Sequence, residues 1–423
     1  MAQRNSGGQP AARQGPPPFN PPVELLSDLS KSIQNSLNTY QNAASAEDKL
    51  SALQEISATS AKLAANTTPL PQRFLEFTFR PHLNAAARIA IEMKLLDTLP
   101  LDGSVITISD IAKACNAEEE FVLRIARLLA AYNILVESES ASGTLSYGHT
   151  EFSRFANQGP TKAGIVHNFD NMLNAQTGAA GYYFNEFGFK SPEDGKNCPF
   201  TFAHGAKDES AWDIFERIPW RGRLLQEAMS IQGLLGLQAL VDAYPFEKLT
   251  PNEDGIMYVD VGGGRGNVEK EVLKHHPEMK GKIVLQDLKS VLEAGTVVPE
   301  PDAKLMPYDF FKEVQPVKGS SYLLKWIFHD WPDNACLAIL ENLKPAMRGH
   351  SHSKLLICDL VLPNRNPSAG FCLRDMNMMT IAGKERAEMQ WRSLLDQGGF
   401  EIMQIISCDG GNFSVIEAVL REN

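Results

Sequence analysis

What the chain lacks narrows its function first. It has no basic surplus: 40 Lys and Arg stand against 51 Asp and Glu, a formal net charge of −11. Binding along a phosphate backbone draws on counterion release by Lys and Arg, so this balance argues against nucleic acid as a partner. It has no paired cysteines. The six present (Cys115, Cys198, Cys336, Cys358, Cys372 and Cys408) form no C-x-x-C, and several lie in apolar runs such as "LLICDLVL". They read as reduced core residues of a cytoplasmic protein, not as a disulfide framework or a zinc site. Nor is there an uninterrupted apolar run near the ~20 residues that span a bilayer, or an apolar leader among the first residues, so no membrane association is expected.

What is present is enough hydrophobic sequence, 43% of 423 residues, for more than one core. Residues 1–22, rich in Gly, Pro, Gln and Ala, are expected to form a disordered tail. Over residues 23–70, Leu and Ile recur at helical spacing, as in "ELLSDLSKSIQNSL", which predicts two amphipathic helices before "NTTPLPQR" breaks the pattern. Residues 71–205 begin with a helix, "NAAARIAIEMKLLDTL". "TISDIAKACNA" follows, where Ser109 or Asp110 is placed to cap a short helix, then "EEEFVLRIARLLAAYNIL" and a hairpin in "VESESASGTLSYGHT". That order is a winged helix. DNA reading is not expected of it, because the second helix sets only Arg124 and Arg127 against Glu118, Glu119 and Glu120; packing or dimerisation is. Residues 206–423 turn to α/β alternation, with apolar strands at "IMYVDVG", "KIVLQD", "LMPYDF", "SYLLKW" and "SKLLICDLVL". These predict a parallel, Rossmann-like sheet covered on both faces, ending in an antiparallel hairpin.

The first of these strands runs into Gly262, Gly264 and Gly266, with a helix directly behind, a geometry that lets backbone approach a ligand at a helix N-terminus. The dinucleotide fingerprint needs a glycine where the chain has Asn267. Asp287 ends the next strand, where an acid can accept ribose hydroxyls, and Asp309-Phe310 at the end of the third suits an adenine edge and face. A nucleoside is expected; a pyrophosphate is not demanded. After the fourth strand, "LLKWIFHDWPD" puts Lys325, His329 and Asp330 at the sheet edge where ligands bind. Asp330 and Asp333 lack further ligands for a metal, and Asp333 is placed to cap the next helix, so no metal is expected.

The segments "VDVGGGRGN", "QD", "YDFF", "LLKWIFHDWPD", "DLVLP" and "GKERAEMQW", in this order, resemble the plant and fungal S-adenosylmethionine-dependent small-molecule O-methyltransferases of the caffeic acid O-methyltransferase type. The resemblance runs from about Phe74 to the C-terminus. It implies a homodimer built on a winged-helix-like dimerisation domain, with a Rossmann-like methyltransferase domain behind it. By the same resemblance Gly262 and Gly264 meet the methionine moiety of S-adenosylmethionine, Asp287 the ribose, Asp309 and Phe310 the adenine, with Lys325 near the cofactor. His329 matches the catalytic base. Asp359 and Glu385 match the two acids flanking it, although position 359 is glutamate in the plant enzymes. Met229, Asn377 and Met378 fall at its substrate-pocket positions; His167, in "GIVHNFDNM", is a further substrate-binding candidate.

Methyl transfer makes sense of such residues. A phenol of pKa ~10 is mostly protonated at neutral pH, and an imidazole of ordinary pKa about 6.5 can take its proton during attack. A carboxylate on the other ring nitrogen fixes the tautomer. Small aromatic or polyketide-type secondary metabolites are the acceptors this implies. Two alternatives remain. In one, the fold binds S-adenosylmethionine without transferring its methyl and guides a dehydration or pericyclic rearrangement, with Lys325, His329 and His167 polarising a carbonyl. In the other, the chain is a winged-helix regulator with a vestigial ligand domain, against which the acidic balance and the retained catalytic residues argue.

Overall fold

The computed structural model describes residues 19–234, 236–408 and 413–421. The tail expected at residues 1–22 lies outside these except for residues 19–22, which lead as coil into the first helix. The chain divides into two compact units between His82 and Leu83.

In the first unit, the two expected amphipathic helices are Val23–Asn42 and Ala46–Thr67, packed on each other. Ser45 starts the second by accepting the Asp48 N–H at 3.0 Å, satisfying a donor that has no intrahelical partner. A third helix, Leu70–Glu92, crosses the division, with Pro71 in its first turn, where a missing N–H costs nothing. Its early turns leave Phe74, Leu75, Phe77 and Phe79 65, 50, 82 and 53% exposed.

The second unit opens with the winged-helix arrangement. Helices Ile108–Ala114 and Glu119–Ala131 pack with a three-stranded sheet of β1 (Ile106–Thr107), β2 (Leu135–Glu139) and β3 (Leu145–His149), in the order β1-β3-β2. Ile111, Val122, Ala126, Leu129 and Tyr147 close its core. The cap differs from expectation. Thr107, the extended last residue of β1, accepts the Asp110 N–H at 3.2 Å, so Ser109 and Asp110 already lie inside the first turn. A run without clear sequence periodicity, from Gly159 to Phe187, is also helical and includes π-helical turns at Asn168–Met172 and Asn174–Ala179.

The main sheet contains β4 (Tyr258–Val261), β5 (Ile283–Asp287), β6 (Lys304–Pro307), β7 (Ser321–Lys325), β8 (Leu355–Asp359), β11 (Phe400–Cys408) and β12 (Phe413–Leu420). Their order is β11-β12-β8-β7-β4-β5-β6. β4 to β8 run parallel, and the hairpin β11-β12 joins antiparallel to β8. Parallel strands with helices on both faces bury both sides, which is why these segments read as continuous apolar runs. Each fully buried Val, Leu or Ile contributes about 1.5–3 kcal/mol. The third strand stops at Pro307, two residues short of Asp309. Because β4 pairs with β5 on one side and β7 on the other, the chain order reverses at β4, and a crevice opens there at the carboxyl ends. A short parallel pair, β9 (Val361–Leu362) with β10 (Arg386–Ala387), carries the segment 383–387 to the end of β8.

Candidate active site

The crevice is a cavity of about 580 Å³. Its lining includes the glycine turn, Asp260, Asp287, Lys325, Trp326, His329 and Asp330, together with Trp212 and, from the helix Pro219–Leu234, Arg223 and Met229. The turn owes its shape to left-handed backbone: Gly262 has φ +76° and Gly264 φ +61°. At 262 a Cβ would sit 2.6 Å from Ile327. At 264 a Cβ would meet nothing within 4 Å, so here the glycine leaves open space on the cavity side. Asp287 fixes the turn, accepting the Gly264 N–H at 2.8 Å on Oδ2 and the Leu288 N–H at 2.7 Å on Oδ1. Burial pushes its pKa up, against those two hydrogen bonds.

His329 lies in a tight turn, Phe328–Asp330, just after β7. Trp326 makes that turn possible with φ +55°, a left-handed conformation costing about 1–3 kcal/mol that only a well-packed surrounding sustains. Its ring lies 5.2 Å from the His329 ring, and Arg374 lies over its face at 5.4 Å. Both His329 and Glu385 are almost wholly buried, and His329 Nδ1 donates to Glu385 Oε1 at 3.1 Å. Nε2 faces Asp330 Oδ1 at 3.5 Å. Asp359 is fully buried, and neither of its oxygens has a hydrogen-bond partner among the described residues. It acts on His329 through charge, not contact.

The electrostatics differ from the ordinary imidazole the sequence leads one to expect. Burial lowers the His329 pKa, but Asp330, the hydrogen bond to Glu385 and the charge of Asp359 more than reverse this, pushing it up to about 10. Burial raises Asp330 to about 6 and Asp359 to about 7, each opposed by His329. The side chains as they stand therefore favour an imidazolium at neutral pH, with Asp330 ionised and Asp359 near its midpoint.

Arg386, fully buried, locks the turn in place. It donates to Phe328 O at 2.8 Å, Trp331 O at 2.9 Å and Asp333 Oδ1 at 2.7 Å. Lys384 N–H donates to His329 O at 2.8 Å, and a Cβ at Gly383 would collide with that same carbonyl oxygen. Asp333, expected to cap the next helix, instead receives Arg386 and the Lys384 ammonium; the helix Asp333–Met347 has Pro332 at its cap and no side-chain cap bond.

The cavity thus brings together Gly262, Gly264, Asp287, Lys325, His329 and Met229, with Glu385 and Asp359 behind the histidine. Lys325 is buried, which lowers its pKa. Asp309 and Phe310 are not among the lining residues. Asp309 accepts the Phe311 N–H at 3.0 Å and pairs with Lys312 at 2.8 Å, while the Phe310 ring lies near Gly262. His167, Asn377 and Met378 do not line the cavity either. His167 Nδ1 accepts from Asn171, whose Oδ1 takes a 2.7 Å bond from Arg221; burial and then Arg221 push its pKa down to about 4. Asn377 accepts from Gln176, and Met378 O accepts the Gly383 N–H at 2.8 Å. Trp212 and Arg223, absent from the sequence expectations, come from helices whose cavity-facing side leaves no trace in spacing. Arg386 lay inside a quoted motif, but only its contacts reveal what it does.

Residues 188–401 match the model of the O-methyltransferase domain and residues 75–158 that of the O-methyltransferase dimerisation domain. The O-methyltransferase GME11366 of Pestalotiopsis microspora is 30% identical over 404 residues, 93% of this chain and 95% of that protein. The chain belongs to the O-methyltransferase family. Its fold is similar to that of OxaC, solved in complex with sinefungin and meleagrin (TM-score 0.81, 22% identity, 94% and 100% of the two chains). A structure described as a pericyclic reaction enzyme is also similar (TM-score 0.79, 21% identity, 95% and 100%).

Proposed function

We propose that the chain transfers a methyl group from S-adenosylmethionine to a hydroxyl of a small aromatic or polyketide-type acceptor. The observation that carries this reading is that His329, oriented by Glu385, lines the same cavity as the glycine turn. The residues present suit the cofactor. Gly264 leaves space for close approach, and Asp287 offers lone pairs beyond those its two backbone bonds use. Gly262, Gly264, Asp287 and Lys325 would hold it, with Asp309 and Phe310 at the margin. When bound, S-adenosylmethionine supplies a methyl group made electrophilic by its cationic sulfur. His329 meets that positive charge in the same cavity and loses proton affinity by like-charge repulsion, which moves it toward the neutral form that accepts a proton at Nε2. Glu385 keeps Nδ1 protonated and so leaves Nε2 as the accepting atom.

A second reading draws on the raised pKa of His329: an imidazolium beside Asp330 can donate to a substrate carbonyl and guide a dehydration or pericyclic step without methyl transfer. Calorimetry with S-adenosylmethionine, followed by mass analysis of candidate phenols, separates the two. A gain of one methyl with release of S-adenosylhomocysteine supports transfer; an isomerised or dehydrated product with the cofactor intact supports the alternative.

Residues 71–205 serve assembly and residues 206–423 catalysis. The exposed Phe74, Phe77 and Phe79 and the matched dimerisation model support a homodimer. Six free cysteines suit a cytoplasmic setting. Among the described residues no helix is long and apolar enough to cross a membrane.

A further inference from the structure

Beneath the glycine turn lies an acid pair that plays no part in the base constellation. Asp260, in β4, is 1% exposed and lines the cavity; Glu269, in the first turn of the helix Asn267–His275, is wholly buried and does not. Neither oxygen of Asp260 nor Glu269 Oε2 receives a bond from an ordinary donor among the described residues. The two buried carboxyl groups face each other, and each acts on the other's proton affinity. The Tyr258 hydroxyl donates to Glu269 Oε1 at 3.4 Å.

Two carboxylates in contact in an apolar interior do not both ionise. Burial, then the charge of Asp260, holds Glu269 well above the usual carboxyl range, so the proton resides there. Asp260, raised by burial to about 6, is the ionised partner. The charged and titratable groups facing the pair are Tyr258 of β4, Asp287 of β5, Lys325 of β7 and the Cys358 thiol of β8.

The pair sits against the turn itself: a Cβ at Gly263 would collide with the Asp260 carboxylate. Glu269 also occupies the third residue of its helix, where the backbone field favours a carboxylate, and it accepts its own N–H. Burial and Asp260 keep the proton on; the helix end works to remove it. A cation in the cavity adds to the second side, and a neutral ligand of the same shape does not.

Resting on the cofactor reading above, we infer that Glu269 releases its proton to solvent when cationic S-adenosylmethionine enters the cavity and retains it when S-adenosylhomocysteine, uncharged at sulfur, is bound. Only the Glu269 O–H bond breaks, and the proton leaves to buffer. The doubly ionised pair then attracts the sulfonium, and re-protonation after transfer removes that attraction from the product. Glu269 thus tells cofactor from product by charge.

Infrared difference spectroscopy on the full-length protein tests this at about pH 8.5, above the values of about 6 and 7 at which Asp330 and Asp359 ionise, so that neither contributes a carboxylic-acid band. Adding S-adenosylmethionine should remove a carboxylic-acid carbonyl band that shifts in D2O, adding S-adenosylhomocysteine should not, and Glu269→Gln should lack the band. The wild-type comparison needs no variant to fold. Calorimetry in two buffers of different ionisation heat should show proton release with S-adenosylmethionine that falls in Glu269→Gln; what persists there is His329's share. Cofactor binding with no carbonyl band lost, or equal loss with both ligands, overturns the inference and leaves the cofactor reading intact. Absence of S-adenosylmethionine binding in calorimetry overturns the cofactor reading itself.

Discussion

Glu385 accepts the Nδ1 proton of His329 at 3.1 Å, so the ring presents Nε2, not Nδ1, to the side where Asp330 and the cavity lie. In the proposed methyl transfer, the atom of His329 that accepts the proton is thereby set by a residue 56 positions away in the chain.

Replacing His329 with alanine should lower turnover by ~10²–10⁴-fold while leaving S-adenosylmethionine affinity in calorimetry nearly unchanged. Part of the lost rate should return at high pH, where a phenolic acceptor ionises unaided. Full activity in the variant would remove His329 from the mechanism.

The raised pKa of His329 makes a statement about stability. A group whose folded pKa, about 10, exceeds its unfolded value near 6.5 stabilises the fold fully below about pH 6.5, and that contribution is lost as pH rises through about 10. Glu385→Gln should flatten the decline of melting temperature between these values and lower the His329 midpoint read by imidazole carbon NMR. An unchanged midpoint would mean that Asp330 and Asp359 alone set it.

Arg386→Gln should take the guanidinium donor from the carbonyls of Phe328 and Trp331, leaving them only the weaker Trp331 N–H and Cys336 thiol contacts, and let the His329 turn relax. We expect a loss of about 2–4 kcal/mol in denaturant unfolding, and a fall in kcat larger than any change in cofactor affinity. If kcat and stability both match wild type, the clamp is dispensable.

On the assembly side, Phe77→Asp combined with Phe79→Asp should convert a dimer to monomer in light scattering at micromolar concentration, because a desolvated charge in an apolar interface costs several kcal/mol. A wild-type chain that is itself monomeric would refute the dimer.

The parallel sheet was legible because both its faces are buried, which writes strands as unbroken apolar runs. The winged helix was legible from its amphipathic spacing and a glycine-bearing turn. The glycine turn, Asp287 and His329 could be placed because each sits at the carboxyl end of such a strand, so locating the strand locates the residue. Asp309 shows where this logic weakens: its strand ends two residues earlier, and Asp309 and Lys312 close on each other across a local turn. The π-helical segment holding Asn171 gave no signal, since its turns match neither helical nor strand period. Long-range partnerships such as Arg386 with the Phe328 carbonyl depend on loops meeting in space, and nothing in one sequence encodes that meeting as a pattern.

The interior place of β12 also sets an order in time. A ribosome delivers β4 to β8 first, and β8 then keeps a bare edge until Phe413–Leu420, which begins about 50 residues after Asp359, emerges to pair with it. At ~5–20 residues per second, that edge stays open for roughly 3–10 s. An apolar strand edge exposed for seconds is a template for pairing with other nascent chains. Chaperone supply during translation should then influence how much of this protein a host cell recovers in soluble form.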